Sequence, residues 1–305
     1  MKRVIRSTVA CATLLLIFTG CGAAPATVES ISTAKSLSVT AQQESAMTKV
    51  VALANGSAEI VSALGYRNIL VGRDIASTDS DLKDVPIVTS GHQVVAEKII
   101  GLNPDVVIID NTTGPAQAIS AIKRAGIRVE LIDEAWKLSE ISKKVRAIAQ
   151  VIGAPTSGLA FEKVIDSAVN DVTQVKTGTR IAFLYLRGGS AIYLLGGKGS
   201  GADSLIGAVG AVDVGAQKYS KAYTPISAEA LIEVNPQVIL VMEKGLASVG
   251  GIDGLLKLPG VAQTDAGKSR AVIAVDDSLL LSFGPRTPDL ISQLSGAISR
   301  VIEKS

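Results

Sequence analysis

Apolar and polar positions follow one another along this chain in a β-then-α rhythm, and one unit of that rhythm occurs twice. Ala96-Glu97 opens a short amphipathic stretch, Asn103-Pro104-Asp105 breaks it, and Val106-Val107-Ile108-Ile109 follows as an unbroken apolar run. Displaced by 132 residues throughout, Ala228-Glu229, Asn235-Pro236-Gln237 and Val238-Ile239-Leu240-Val241 repeat the pattern. Proline cannot continue a helix, and it pushes the residue before it out of the α region. Each copy therefore predicts a helix, a break and a strand buried on both faces, as in a parallel sheet. A period this long is not a solenoid repeat. It predicts two related α/β lobes with a cleft between them, the place where small ligands bind.

The first lobe is predicted to open with a strand at Lys49–Leu53, a turn and N-cap signal at Asn55-Gly56-Ser57, and a helix at Ala58–Leu64 closed by Gly65. Strands at Ile69–Gly72, Val106–Ile109 and Arg128–Ile132 alternate with helices at Val95–Gly101 and Pro115–Ala125. This alternation argues for a doubly wound parallel lobe. Two long helices follow, Leu138–Ile152 and Leu159 to about Val175, and the latter is the candidate connector between lobes. The second lobe starts at Arg180–Tyr185, has a helix at Asp203–Val209, the repeat copy, a strand at Ala271–Val275, and a closing helix at Thr287–Glu303. The expected division is residues 1–20 leader, 21–47 tether, 48–154 first lobe, 155–177 connecting helix and 178–305 second lobe.

The first twenty residues change where this fold is expected to work. Lys2, Arg3 and Arg6 precede a short apolar core at Val9–Phe18, too short to span a bilayer. Phe18-Thr19-Gly20-Cys21 then resembles a lipobox, so cleavage before Cys21 would leave a lipidated N-terminus outside the cytoplasmic membrane. An ordinary signal peptide cut near Ala24, or a short anchor, is the alternative. Cys11 leaves with the leader and Cys21 carries lipid, which leaves no disulfide. Residues 22–47 are rich in Ala, Ser, Thr and Gln and read as a flexible tether.

Charge contributes mainly by exclusion. Of 30 basic residues three lie in the leader, and the remainder nearly balance 28 acidic ones. No basic run with interleaved aromatics exists, so nucleic acid is not an expected partner.

Chemistry concentrates in a few residues. His92 is the single histidine and sits in Ser90-Gly91-His92, before the first repeat helix. An isolated histidine there suits a surface or N-capping role, and equally a metal or haem-iron ligand. One histidine cannot make a zinc site alone, whereas axial haem ligation needs one histidine and one further donor. Tyr185 ends the first strand of the second lobe, where doubly wound sheets present ligand contacts. Strand alternation puts Arg187 on the same side as Tyr185, and a neighbouring guanidinium favours phenolate, a hard donor for ferric iron. Packing of Tyr185 on the core with Arg187 solvated is the plain alternative. Tyr223 precedes the second repeat much as His92 precedes the first and is the rival ligand; Tyr193 reads as core, and Tyr219 is a further candidate.

Taken together, Ser57-Ala58-Glu59-Ile60, Gly91-His92, Asn103-Pro104-Asp105, Tyr185-Leu186-Arg187-Gly188 and Gly284-Pro285-Arg286-Thr287-Pro288 resemble the substrate-binding lipoproteins of bacterial haem ABC importers. These belong to the class III periplasmic binding proteins, which also serve siderophores and cobalamin. The resemblance covers the chain from about residue 48 onward. It implies two Rossmann-like lobes joined by one long helix with little hinge motion. It implies haem in the cleft, with His92 and Tyr185 on the iron and Arg187, Tyr223 and Arg286 among the residues of the binding site. It also implies an acidic residue on each lobe that docks on an ABC permease dimer. Glu59, expected on a surface helix, matches in the first lobe. In the second, pairing Gly65 with Gly210 sets Ser204 opposite Glu59, and Asp203 is an approximate substitute.

Other functions fit less well. A siderophore or cobalamin receptor on the same fold is the alternative, though four Phe, five Tyr and one Trp leave little aromatic surface for large catecholates. An enzyme is not expected: no Gly-x-Ser-x-Gly elbow is present. Gly196-Gly197-Lys198-Gly199-Ser200-Gly201 lacks the spacing of a phosphate loop. A zinc or manganese carrier would want more histidines.

Overall fold

The computed structural model describes residues 28–188 and 192–304. The leader, Cys21 and the first part of the expected tether lie outside them. The chain enters the fold through strand β1 (Val28–Ile31).

Lobe one is a parallel sheet of β2 (Val50–Ala52), β3 (Leu70–Arg73), β6 (Val106–Ile109) and β7 (Arg128–Leu131), ordered β3-β2-β6-β7. A two-residue-strand hairpin, β4 (Thr89–Ser90) and β5 (Gln93–Val94), stands beside it. Helices α1 (Ser57–Val61), α2 (Ala96–Leu102) and α3 (Ala116–Arg124) complete the lobe. The apolar runs are buried on both faces, as their unbroken hydrophobicity requires. Val50, Ala52, Val106 and Ile108 point into one core layer, and Val51, Leu53, Val107 and Ile109 into the other. This is the period-two alternation of a strand covered on two sides.

Two helices then pack on each other, α4 (Ile141–Ile152) and α5 (Pro155–Asn170). α5 starts at Pro155, where its missing N–H costs nothing, and stops at Asn170, five residues short of the expected end.

Lobe two is built on β8 (Arg180–Arg187), β9 (Ile192–Gly196), β10 (Val212–Asp213), β11 (Tyr223–Pro225), β12 (Val238–Met242) and β13 (Val272–Val275). Its order is β1-β13-β12-β8-β9-β11, with β10 on the first half of β8. In that order β1, β13, β12 and β8 run parallel, and β9 pairs antiparallel with both β8 and β11. The helices are α6 (Ala202–Ala208), α7 (Val214–Lys218), α8 (Ala228–Val234), α9 (Glu243–Ser248), α10 (Gly251–Leu255), α11 (Asp265–Ser269), α12 (Asp277–Ser282) and α13 (Thr287–Glu303).

The sequence repeat corresponds to a structural one. Asn103 and Asn235 end α2 and α8 in the left-handed conformation, with φ of 46° and 37°. Asparagine tolerates that conformation better than most residues, and proline then forbids the helix to resume. The residue after each proline ties the new strand to its neighbour. Asp105 Oδ2 accepts from Lys49 N (2.9 Å), and Gln237 Oε1 accepts from Arg180 N (3.1 Å). Asp and Gln differ in charge but do the same job at the heads of β2 and β8.

The expected flexible tether is corrected over its described part. Val28–Ile31 pairs in parallel with Val272–Val275 as the edge strand of lobe two. Residues 32–47 then run back to lobe one as a strap, anchored by Leu37 N to Pro285 O (3.0 Å), Val39 N to Ala63 O (2.8 Å) and Met47 N to Ile152 O (2.9 Å). Leu37, Val39, Ala41 and Met47 pack against the core, and Glu44 accepts from Thr156 N (2.7 Å) and Ser157 N (3.1 Å) at the start of α5. Scattered small apolar residues sufficed because the groove they fill is built by distant segments. The lobes also share one buried cluster, running from Val50 and Ile108 through Ile148 and Phe161 to Phe183, Ile273 and Leu294.

Candidate functional site

The carboxyl ends of both sheets' parallel strands face a cleft of about 370 Å³ between the lobes. Ligands of open α/β sheets bind at such strand ends. Lobe one contributes Asn55 after β2, Asp74, Ile75, Ala76 and Thr78 after β3, Asp110, Thr112 and Thr113 after β6, and Asp133 to Trp136 after β7. Lobe two contributes Arg187 from β8, Met242 from β12, Lys244 from the start of α9, and Asp277, Ser278 and Leu281 after β13.

His92 borders this cleft from lobe one, at the tip of the β4–β5 hairpin rather than on a plain loop. Gly91 makes the hairpin turn with φ of 56°, a conformation that suits the first position of a tight two-residue turn. The imidazole is exposed, and it has no hydrogen-bond partner among the described residues.

Arg187 borders the cleft from lobe two, with its guanidinium carbon 4.6 Å from the centroid of the Tyr185 ring. It donates to Leu186 O (3.0 Å) and lies 3.9 Å from Asp277 Oδ2. The arginine thus covers the ring face instead of bonding the hydroxyl. Tyr185 itself is half-buried behind it, edge-on to Tyr223 with ring centroids 5.3 Å apart. Its hydroxyl has no hydrogen-bond partner among the described residues.

Tyr223 is placed differently. Its hydroxyl donates to Ser200 O (3.3 Å) and its ring also stands edge-on to Phe183 at 6.5 Å; neither tyrosine is itself part of the cleft lining, which Arg187 provides on this side. Burial above all, with Tyr185 and Asp203 adding to it, pushes its phenol up to about 12. It supports Tyr185 from behind. Tyr193 is likewise committed, donating to Pro259 O (3.3 Å), with its phenol pushed well up by burial.

Glu59 and Arg286 depart from expectation together. Glu59 is 1% exposed, and Arg286 grips it with two bonds, Nε to Oε2 (3.0 Å) and a second from its terminal nitrogen to Oε1. Burial pushes the Glu59 carboxyl up, and the guanidinium opposes that. A carboxylate enclosed in this way presents no charge to a permease, and Arg286, 5% exposed, is unavailable to a cleft ligand. The helix start that looked like a surface faces the opposite lobe. Asp203 is spent on closing its own loop, accepting from Gly199 N (2.8 Å) and Gly201 N (3.0 Å).

Several cleft residues were not anticipated. Lys144 is fully enclosed and donates to Ser282 O (2.9 Å) and Phe283 O (3.4 Å), while Asn55 Nδ2 donates to Leu281 O (2.8 Å). Two lobe-one side chains thereby satisfy the last carbonyls of α12, which no helix can satisfy internally. Burial lowers the Lys144 ammonium to about 8, against the pull of Asp110, Glu59, Glu134 and Asp74. The signal was a lysine within the apolar stripe Ile141, Val145, Ile148, Ile152. Trp136 lines the cleft and donates through Nε1 to Glu134 (2.7 Å).

Residues 50–279 match the model of the periplasmic binding protein family. The uncharacterized ABC transporter substrate-binding lipoprotein YvrC of Bacillus subtilis (strain 168) is 26% identical over 259 residues, covering 82% of this chain and 79% of its own length. The heme binding protein HmuT superposes with a TM-score of 0.77 at 30% identity, covering 89% of this chain and 96% of that one. Crystal structures of HmuT include variants with a histidine, a tyrosine, and an arginine two positions after that tyrosine each replaced by alanine. The periplasmic heme-binding protein RhuT of Roseiflexus sp. RS-1, in apo form, matches at 33% identity and a TM-score of 0.77, covering 84% of this chain and 99% of that one.

Proposed function

The chain belongs to the periplasmic binding protein family, and we propose that it is an extracytoplasmic haem carrier that hands its cargo to an ABC importer. Its role is to bind and deliver, not to catalyse. The observation that carries this reading is a pair of uncommitted donors: the exposed His92 imidazole in the lobe-one wall of the cleft, and the unbonded Tyr185 hydroxyl on lobe two, whose ring lies directly behind the cleft-lining Arg187. Imidazole and phenolate can together satisfy both axial positions of ferric haem. Arg187 covers the Tyr185 ring at 4.6 Å and places a positive charge between that ring and the cleft. The haem-binding relatives HmuT and RhuT support the choice of haem as cargo.

Delivery calls for a transporter partner, which the likeness to YvrC supports. That relative is also a lipoprotein, in keeping with lipidation at Cys21 and anchoring on the outer side of the cytoplasmic membrane. No helix among the described residues is long and apolar enough to cross a membrane. With Glu59 enclosed, docking on the permease dimer falls to other residues of the lobe surfaces.

The test is spectroscopic. Haemin added to the purified protein gives a Soret band that persists through desalting, and quenches Trp136, the single tryptophan, in the cleft wall. His92→Ala and Tyr185→Phe each shift the band and weaken retention, and Tyr223→Phe leaves it in place. A spectrum changed by Tyr223→Phe and by neither of the others overturns the ligand assignment. A band lost on desalting the unaltered protein overturns haem as cargo.

A further inference from the structure

Carboxylates line both walls of the cleft, and the one on lobe two, Asp277, accepts from Lys244 N (3.0 Å) and lies 3.9 Å from Arg187. Lobe one supplies four carboxylates, Asp74, Asp110, Asp133 and Glu134, and each is already engaged. Asp74 accepts from Ala76 N (2.9 Å), and Asp110 from Asn55 N (2.8 Å) and Thr112 N (3.0 Å). Asp133 is paired with Lys143 at 2.7 Å, and Glu134 accepts from Trp136. Three cations face the same space: Lys144, Arg187 and Lys244. Lys144 is bound to the carbonyls of Ser282 and Phe283, and Arg187 to Leu186 O and the Tyr185 ring.

Lys244 differs from both. It follows β12, a central strand of lobe two, so it projects from the strand-end crevice where ligands of such sheets bind. Its backbone N–H donates to Asp277 Oδ1 (3.0 Å), which fixes the start of α9. Its side chain is exposed, and the ammonium has no ion pair or hydrogen bond among the described residues. The cleft therefore carries an uncommitted positive charge on the lobe-two wall, opposite carboxylates that would repel an anion.

We infer that Lys244 binds an ionised carboxylate of the cleft ligand and so sets which edge of that ligand faces lobe two. The inference rests on the haem reading, where the carboxylates are the two propionates of the porphyrin edge. Axial ligation fixes the iron but leaves the ring free to rotate about the ligand axis. A charged edge contact removes that freedom, and the acidic lobe-one wall opposes the reversed orientation by like-charge repulsion.

The experiment compares haemin with its dimethyl ester, which keeps the iron and loses both carboxylate charges. The unaltered protein and Lys244→Gln are titrated with each, read by the Soret band, at low and moderate salt. A charge-assisted hydrogen bond at a partly exposed site corresponds to a roughly 3–10-fold preference for the free acid. Lys244→Gln should abolish that preference and its salt dependence while leaving the Soret position and affinity for the ester unchanged. Lys244→Arg should restore the preference. Lys244 is exposed, so the substitution leaves the fold intact, and a thermal melt verifies this. If Lys244→Gln discriminates acid from ester as well as the unaltered protein, or the unaltered protein does not discriminate at all, the inference is overturned. Failure of both ligands to give a Soret band instead removes the haem reading itself.

Discussion

Glu59 and Ser204 occupy matching places in the first helices of the two lobes, six residues before Gly65 and Gly210. Both turn out to be ties between lobes, made by different chemistry. Glu59 reaches Arg286, 227 residues away, through a buried two-bond ion pair. Ser204 Oγ accepts from Leu138 N (3.0 Å), at the turn that leads into α4. The comparison teaches that a repeated unit repeats its geometry, not its electrostatics. In each lobe the first helix is aimed at the opposite lobe, and whichever side chain stands there must suit what it meets. Lobe one needed a full charge, because it meets a guanidinium cut off from water. Lobe two needed one acceptor for one backbone N–H.

That contrast can be broken in order of cost. Arg286→Ala leaves the Glu59 carboxylate buried and unpaired, and chemical denaturation should show a loss of about 3–5 kcal/mol. Arg286→Met combined with Glu59→Gln should recover a substantial part of it, since the uncompensated charge is gone. No recovery in the double variant would mean that packing, not charge, dominates at this tie.

Lys144 provides the next test, because it also crosses from lobe one to lobe two. Its ammonium titrates near 8 in the folded protein and near 10.5 when unfolded. The lowered value means that folding disfavours the charged form. The cost is borne in full below about pH 8 and is relieved as pH rises toward 10.5, where the unfolded chain holds a proton that the native state has released. Between those limits this residue raises stability with pH, by on the order of 3 kcal/mol. Lys144→Met should lose that rise, so its stability relative to the unaltered protein is greater at pH 7 than at pH 10. Parallel pH profiles for the two proteins would remove Lys144 from the account.

Ser204→Ala is the mildest. It deletes one acceptor for a part-buried backbone N–H, and about 1 kcal/mol is the expected loss. A cost matching that of Arg286→Ala would mean that the two ties are equivalent after all.

Much of the architecture was legible along the chain, because local rules decide it. Two unbroken apolar runs after Asn-Pro read as strands covered on both faces, and both are. The closing helix runs from Thr287 to Glu303 as its periodicity requires. His92 stands just ahead of the first repeat helix, as its place in the chain required, and Tyr185 and Arg187 share a side because strands alternate. These features depend on neighbours a few residues away, whose spacing is written in the sequence.

What tertiary structure alone decided is where each local feature lands. Residues 28–47 carry too few large side chains to announce a fixed path, yet β13 leaves an edge open for Val28–Ile31, and α5 offers free N–H groups to Glu44. An acid at a helix start is favoured by the helix dipole wherever it stands, so sequence cannot tell an exposed Glu59 from one facing Arg286. One long-range fact distinguishes Tyr185 from Tyr223: among the described residues the carbonyl of Ser200 is within reach of only the second hydroxyl. Burial and hydrogen-bond partners are properties of the assembled chain, and they separate an available donor from a committed one of the same residue type.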